Sequence, residues 1–190
     1  MNKAIFLDRD GTINADKHYL HRIEDFEFLP GVIEALQKLQ SAGYLMLIIT
    51  NQSGIARGFY TEDDFLKLKC WMCEKLSLLG VKITDVLYCP HLPDAKIEKY
   101  RRVCNCRKPA LGLFEQAIEK YRIDLSQSWC IGDKIRDCSL VEKSECRGFL
   151  IGNNEDAAVI DDVKKGKYRN VRYADNLLQA AEFIIGEEKL

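Results

Sequence analysis

No sign of charge dominates this chain: 28 Lys and Arg face 29 Asp and Glu, a formal net charge of −1 at pH 7. Nucleic-acid or anionic-membrane binding calls for a broad basic field, so those partners are excluded, although a local cation cluster can still hold a small anion. No apolar run approaches the roughly 20 residues of a membrane-spanning helix. No leader or transit pattern precedes the strand-like run at Ala4, and the expectation is a cytoplasmic protein. There is no internal repeat, low-complexity tract or interdomain linker, so residues 1–190 read as one domain. Neither the stretch between Gly31 and Gly43 nor that between Thr50 and Val86 has room for an inserted cap domain. With no exposed apolar stripe in the pattern, a monomer is expected.

What is present is an ordinary globular balance, 47% hydrophobic and 30% charged, carrying eight cysteines. In a cytoplasmic chain these are reduced thiols or metal ligands rather than disulfides. Strand-like runs alternate with helical patterns. Ala4–Leu7 reads as a buried strand, followed by a helix over 31–42 with Val32, Ile33, Leu36 and Leu39 on one face. Further strands are expected at 45–49, 86–88, 129–131 and 148–151, with a late edge strand at 169–172. Helices are expected at 61–79, opened by a Thr61 cap and three acids, and at 111–121, 137–142 and 174–185. This βαβα order implies an α/β fold, a Rossmann-like parallel sheet sandwiched by helices, with ligands beyond the carboxyl ends of the strands.

Asp8-Arg9-Asp10-Gly11-Thr12-Ile13-Asn14 follows the first strand directly. Carboxylates at i and i+2 of an extended chain lie on one side, and their repulsion is costly unless something uses or neutralises them. A metal ion would do so, leaving one carboxylate to attack a phosphoryl group and the other to act as acid. Three more pieces lie at or beyond later strand ends: Thr50-Asn51-Gln52-Ser53-Gly54, Arg107-Lys108-Pro109, and Gly132-Asp133-Lys134-Ile135-Arg136-Asp137. Taken singly, each also fits a polar turn or a solvated surface.

In this order the four pieces resemble the signatures of the haloacid dehalogenase superfamily of phosphohydrolases. The resemblance covers roughly Lys3 to Ile151 and implies the superfamily's fold, without a cap. It implies that Asp8 is the nucleophile and forms an aspartyl-phosphate, and that Asp10 is the general acid and then base. It also implies Mg²⁺ held by Asp8, Asp133 and the backbone carbonyl of Asp10. Thr50 and Lys108 would stabilise the phosphoryl group. Asp137 reads equally as a partner of Lys108 or the metal waters and as a helix cap.

A second motif is Cys89-Pro90-His91, then twelve residues, then Cys104-Asn105-Cys106. Three thiolates and one imidazole make a closed tetrahedral set for a structural Zn²⁺, and the surrounding loop, about 89–109, is polar and offers little core to hide free thiols. This loop, running on into Arg107-Lys108-Pro109, resembles the group of the superfamily that contains the heptose-bisphosphate and histidinol phosphatases. The resemblance implies a small phosphorylated sugar as substrate and a place in making heptose precursors of lipopolysaccharide. Asp16, Lys17, His18 and Tyr19 look like the substrate loop of the heptose enzymes, and Phe59, Tyr60 and Thr61 lie near it in the pattern. Arg107 is suited by analogy to the phosphate that is not cleaved, and Asn51, Gln52, Ser53 and Lys134 to further substrate contacts.

The competing readings are a histidinol-phosphatase, a zinc-bearing nucleic-acid module, a 3′-phosphatase on DNA ends and a non-catalytic sugar-phosphate sensor. An ammonium-bearing substrate would favour an acidic rim, of which only Asp16 is seen. The charge balance opposes nucleic acid, and a sensor has no need of the full acid set. Cys70-Trp71-Met72-Cys73 falls mid-helix, where a redox pair lacks the helix N-terminus that stabilises a thiolate. Cys130, Cys138 and Cys146 read as scattered and buried, His21 as a surface residue, and Lys164-Lys165-Gly166-Lys167 as a solvated loop.

Overall fold

The computed structural model describes residues 1–187. Six strands form one sheet in the order β3-β2-β1-β4-β5-β6: β1 Ala4–Leu7, β2 Leu45–Asn51, β3 Asp85–Cys89, β4 Trp129–Gly132, β5 Arg147–Ile151 and β6 Val171–Ala174. Every pairing is parallel, so all six carboxyl ends share one rim. The helices are α1 Val32–Ser41, α2 Ser53–Arg57, α3 Glu62–Leu78, α4 Gly112–Tyr121, α5 Ala157–Lys164 and α6 Leu177–Glu187.

A strand covered on both faces is apolar at every position, and all four residues of β1 are buried. Ile5 and Leu7 point into a core shared with α1, α3 and α6, which includes Leu36, Phe65, Trp129 and Ile184. Ala4 and Phe6 point into the opposite core, with Leu113, Phe114 and Val163 of α4 and α5. The order in which strands are added reverses between β1 and β4, the switch point at which such sheets bind ligands. The registers Leu7↔Ile48 and Leu7↔Ile131 put Asp8, Thr50 and Asp133 side by side just beyond it.

The expected helix at 61–79 is present as α3, its capping box formed by Thr61 and Asp64. Three expectations need correction. Instead of a helix at 137–142 there are two short 3₁₀ turns, Ile135–Cys138 and Val141–Lys143. β6 begins two residues later than expected, so that Val171 and Ala174 face inward. α2 and α5 were not foreseen, because α2 has five residues and α5 buries only Val163. Among the described residues, no helix is long and apolar enough to cross a membrane.

Candidate active site

Lys108 is the hub of the rim. Its ammonium lies 2.7 Å from Asp8 Oδ1 and 2.7 Å from Asp137 Oδ1, and donates to the carbonyl of Ile49 at 2.5 Å. The Lys108 and Asp137 side chains are only 2% and 3% exposed. Burial alone would push this ammonium's pKa down, but the Asp137 and Asp8 carboxylates outweigh it and hold the pKa above the usual lysine range. Asp137 combines the two roles left open by the sequence, since its other oxygen accepts from the Lys134 N–H at 3.0 Å and caps the first 3₁₀ turn.

Asp8, Asp133 and Asp137 each bring a carboxylate oxygen within 4.8 Å of the others. Burial, followed by the charge of Asp137, pushes the Asp133 carboxyl up to about 6. The Asp8 carboxyl stands at about 7: burial lifts it most, Lys108 pulls it down, and Asp137, Asp133 and Asp10 add to the rise. Three carboxylate oxygens this close together, two of them on buried residues, suit a hard divalent cation. Gly11 makes this approach feasible. It has φ +81°, and a Cβ there would stand 2.6 Å from Asp133 Cγ.

The Asp10 carboxylate is turned away from these three. It accepts from Arg9 Nε at 3.0 Å, Asn14 Nδ2 at 3.0 Å and Gln52 Nε2 at 3.1 Å. Of Asp10, the resemblance implies only the backbone carbonyl as an ion ligand, so this orientation does not conflict with it. Thr50, 1% exposed, accepts from Gln52 Nε2 at 2.9 Å.

A polar cavity of about 330 Å³ opens above these groups. Asp8, Asp10, Asp16, His18, Tyr19, Thr50, Asn51, Gln52, Ser53, Arg107, Lys108, Asp133 and Lys134, all foreseen, line it. Lys17 is a correction. It does not line the cavity, and its exposed ammonium pairs with Glu27 at 3.3 Å. His18 and Tyr19 adopt left-handed φ values of 52° and 64°, a strain that non-glycine residues keep only where surroundings enforce it. Asp16 accepts from the His18 N–H at 3.0 Å, and the Tyr19 ring rests on Phe59 at 4.6 Å.

Arg57, Arg136 and Asn154 were missed as site residues, and Tyr60 was placed only near the substrate loop. Arg57, Tyr60 and Arg136 line the cavity, and Asn154 donates to Asp133 Oδ2 at 3.2 Å. Arg57 escaped notice because 53–57 read as a loop. Asn154 follows β5, and the rule that ligands bind beyond strand ends would have found it.

Cys89 ends β3, beside Asn51 of β2. Its Sγ is 3.6 Å from that of Cys104 and 3.2 Å from that of Cys106, with Cys104 and Cys106 3.3 Å apart. His91 Nδ1 stands 3.2 Å from Cys106 Sγ and 3.8 Å from Cys89 Sγ. Tetrahedral Zn–S bonds of about 2.3 Å imply sulfur–sulfur edges of about 3.8 Å. The cluster is slightly tighter than this, and one small step outward fits the ion. The loop also packs more than expected, with Leu92, Ala95 and Tyr100 buried. Arg107 Nη1 donates to the His91 carbonyl at 3.4 Å, so the cluster leads straight into the cavity's cations.

Residues 3–167 match the family described as polynucleotide kinase 3 phosphatase. D-glycero-beta-D-manno-heptose-1,7-bisphosphate 7-phosphatase of Haemophilus influenzae is 50% identical over 137 residues, which is 72% of this chain and 74% of that protein. The enzyme of the same name from Haemophilus ducreyi is 44% identical over 164 residues, 86% of this chain and 90% of the other. The chain belongs to both families. Within the heptose-bisphosphate phosphatase family, the D,D-heptose 1,7-bisphosphate phosphatase of B. bronchiseptica, solved with magnesium and phosphate, superposes with a TM-score of 0.80 at 28% identity. That match covers 97% of this chain and 99% of that one.

The remaining cysteines stand apart from this family's site. Cys70 is exposed on α3 and Cys73 is half-buried, its thiol pushed up by burial, which does not suit a redox pair. Cys130 and Cys146 are not scattered, since their Sγ atoms lie 3.7 Å apart in the core. His21 is not a plain surface residue either; its ring stacks on Tyr60 at 5.0 Å.

Proposed function

We propose that this protein is a Mg²⁺-dependent phosphatase that removes the C7 phosphate of D-glycero-β-D-manno-heptose 1,7-bisphosphate. The observation that carries the reading is the convergence of Asp8, Lys108, Asp133 and Asp137 on one buried rim, in a chain of this family. The β anomer is chosen because the named relatives act on it.

Asp8 attacks phosphorus in line, so that the bond to O7 breaks as the aspartyl-phosphate forms. Asp10 gives its proton to the departing O7 and then takes one from the water that hydrolyses the aspartyl-phosphate, which regenerates Asp8. Lys108 and Thr50 stabilise the charge on the phosphoryl oxygens. Mg²⁺, held by Asp8, Asp133 and the Asp10 carbonyl, neutralises charge between nucleophile and phosphate when bound. Cys89, His91, Cys104 and Cys106 would hold Zn²⁺, which would fix the loop before Arg107 and Lys108.

The uncleaved phosphate is met by Arg107 and Lys134, with Arg57 and Arg136 on the same cavity. Such a cationic lining opposes histidinol phosphate, which carries its own ammonium. The same reading makes the protein a cytoplasmic monomer acting on a diffusible sugar phosphate rather than on nucleic acid or a membrane.

The test is phosphate release with Mg²⁺ from both anomers of heptose 1,7-bisphosphate, fructose 1,6-bisphosphate, histidinol phosphate and a 3′-phosphorylated oligonucleotide. The β-heptose bisphosphate should have the highest kcat/KM. Equal rates on all, or preference for histidinol phosphate or the oligonucleotide, would sink the assignment.

A further inference from the structure

Gln52 was expected to touch substrate, yet its side chain is committed elsewhere. The residue is 2% exposed, and both ends of its amide are taken. Nε2 donates to Asp10 Oδ2 at 3.1 Å and to Thr50 Oγ1 at 2.9 Å. Oε1 accepts from the Tyr60 hydroxyl at 2.6 Å. We propose that Gln52 is a positioning residue that registers the Asp10 carboxylate against Thr50, with Tyr60 holding the oxygen end of the amide. This rests on the reading of Asp10 as acid and base.

The other groups on Asp10 do not supply that register. Arg9 and Asn14 belong to the same turn as Asp10, and whatever moves the turn moves them. Gln52 directly follows β2 and ties Asp10 to Thr50 of that strand. A proton-transfer group must sit within hydrogen-bond reach of its target, and Thr50 helps to hold that target.

An amide can rotate by half a turn and exchange its oxygen for its nitrogen. In this chain the Asp10 carboxylate, which only accepts when ionised, favours the orientation that turns Nε2 toward it, and the Tyr60 hydroxyl donates to the oxygen end. The ring is closely held. His21 stacks on it with the planes 11° apart, and Gly54 packs so close to it that a Cβ there would stand 2.7 Å from Tyr60 Cζ.

The test compares Q52A, Y60F and D10N with wild type. On the best substrate of the screen above, Q52A should lower kcat about 10- to 100-fold, part of the 10²–10⁴-fold that general acid–base transfer supplies, with KM within about twofold. Y60F, which removes one atom, should move kcat the same way by less. With p-nitrophenyl phosphate, whose leaving group departs without a proton, Q52A should give a fast burst of about one nitrophenolate per site and then slow turnover.

A rise in KM with kcat unchanged would make Gln52 a substrate contact and overturn the proposal. So would wild-type kinetics in Q52A. Should Q52A fail to fold, Y60F decides, and an unchanged kcat in it removes Tyr60 and its hold on the amide from the account. D10N separates the two claims: wild-type turnover in D10N refutes the acid–base reading itself, whatever Gln52 does.

Discussion

The Asn51 amide closes two hydrogen bonds on the backbone of Lys108, accepting from its N–H at 3.0 Å and donating to its carbonyl at 3.1 Å. The pair joins the end of β2 to the segment leaving the cysteine cluster and sets where the Lys108 ammonium enters the rim. Asn51→Ala leaves both backbone groups unpaired, a loss of about 1–3 kcal/mol for a buried group. The expected outcome is a drop in kcat of roughly tenfold or more with a lower Tm, read by steady-state kinetics and thermal melts. Asn51→Asp keeps the acceptor, loses the donor and should fall in between.

Asp8→Asn should abolish turnover, because an amide cannot take the phosphoryl group. The fold should not suffer. Ionised Asp8 is disfavoured by burial and by Asp137, Asp133 and Asp10, and Lys108 keeps Asp137 as a partner. In EDTA at pH 8 the variant should melt at or above wild type, by about 2–4 °C for each kcal/mol of strain relieved. Turnover near wild type would exclude Asp8 as nucleophile.

The raised carboxyls give the metal-free protein a definite pH dependence. Asp8 titrates near 7 and Asp133 near 6 when folded, against 3.8 for both unfolded. Between these values the folded chain binds more protons than the unfolded one, so stability from these groups is greatest below about pH 4 and declines up to about pH 7. Other groups add their own terms, so the comparison is wild type against Asp8→Asn in EDTA, where the wild-type deficit should widen from pH 5 to pH 7.5. Mg²⁺ competes with these protons, and its affinity by calorimetry should rise over the same interval.

Cys104→Ser should reduce bound zinc from about one per chain to well below that by elemental analysis. Melting temperature should fall, and kcat with it, since Arg107 and Lys108 follow directly on the cluster. Full zinc content in the variant would refute the four-ligand site.

Much of this could be read from sequence because the signals were local. Ala4–Leu7 is apolar throughout, and Thr61 with Asp64 makes a capping box from residues three apart. Asp8, Thr50 and Asp133 could be gathered in advance, because parallel strands put every carboxyl end on one side. What stayed hidden depended on side-chain direction. Lys17 and His18 are neighbours, yet one reaches Glu27 and the other the cavity. The Asp10 carboxylate turns toward Arg9 and Gln52 rather than Asp133, which strand alternation cannot disclose. α2 and α5 were lost because short or weakly buried helices leave little periodicity.

Cys89 is at once the last residue of β3 and the first member of the cysteine–histidine cluster. During folding, Cys104 and Cys106 can gather before the sheet is complete, but they hold only half of a coordination shell. The shell closes when β3 has docked against β2 in its proper register. If these four side chains hold zinc as proposed, a chain that keeps the ion would already have aligned β3 against β2, the edge of the sheet next to the Arg107–Lys108 segment.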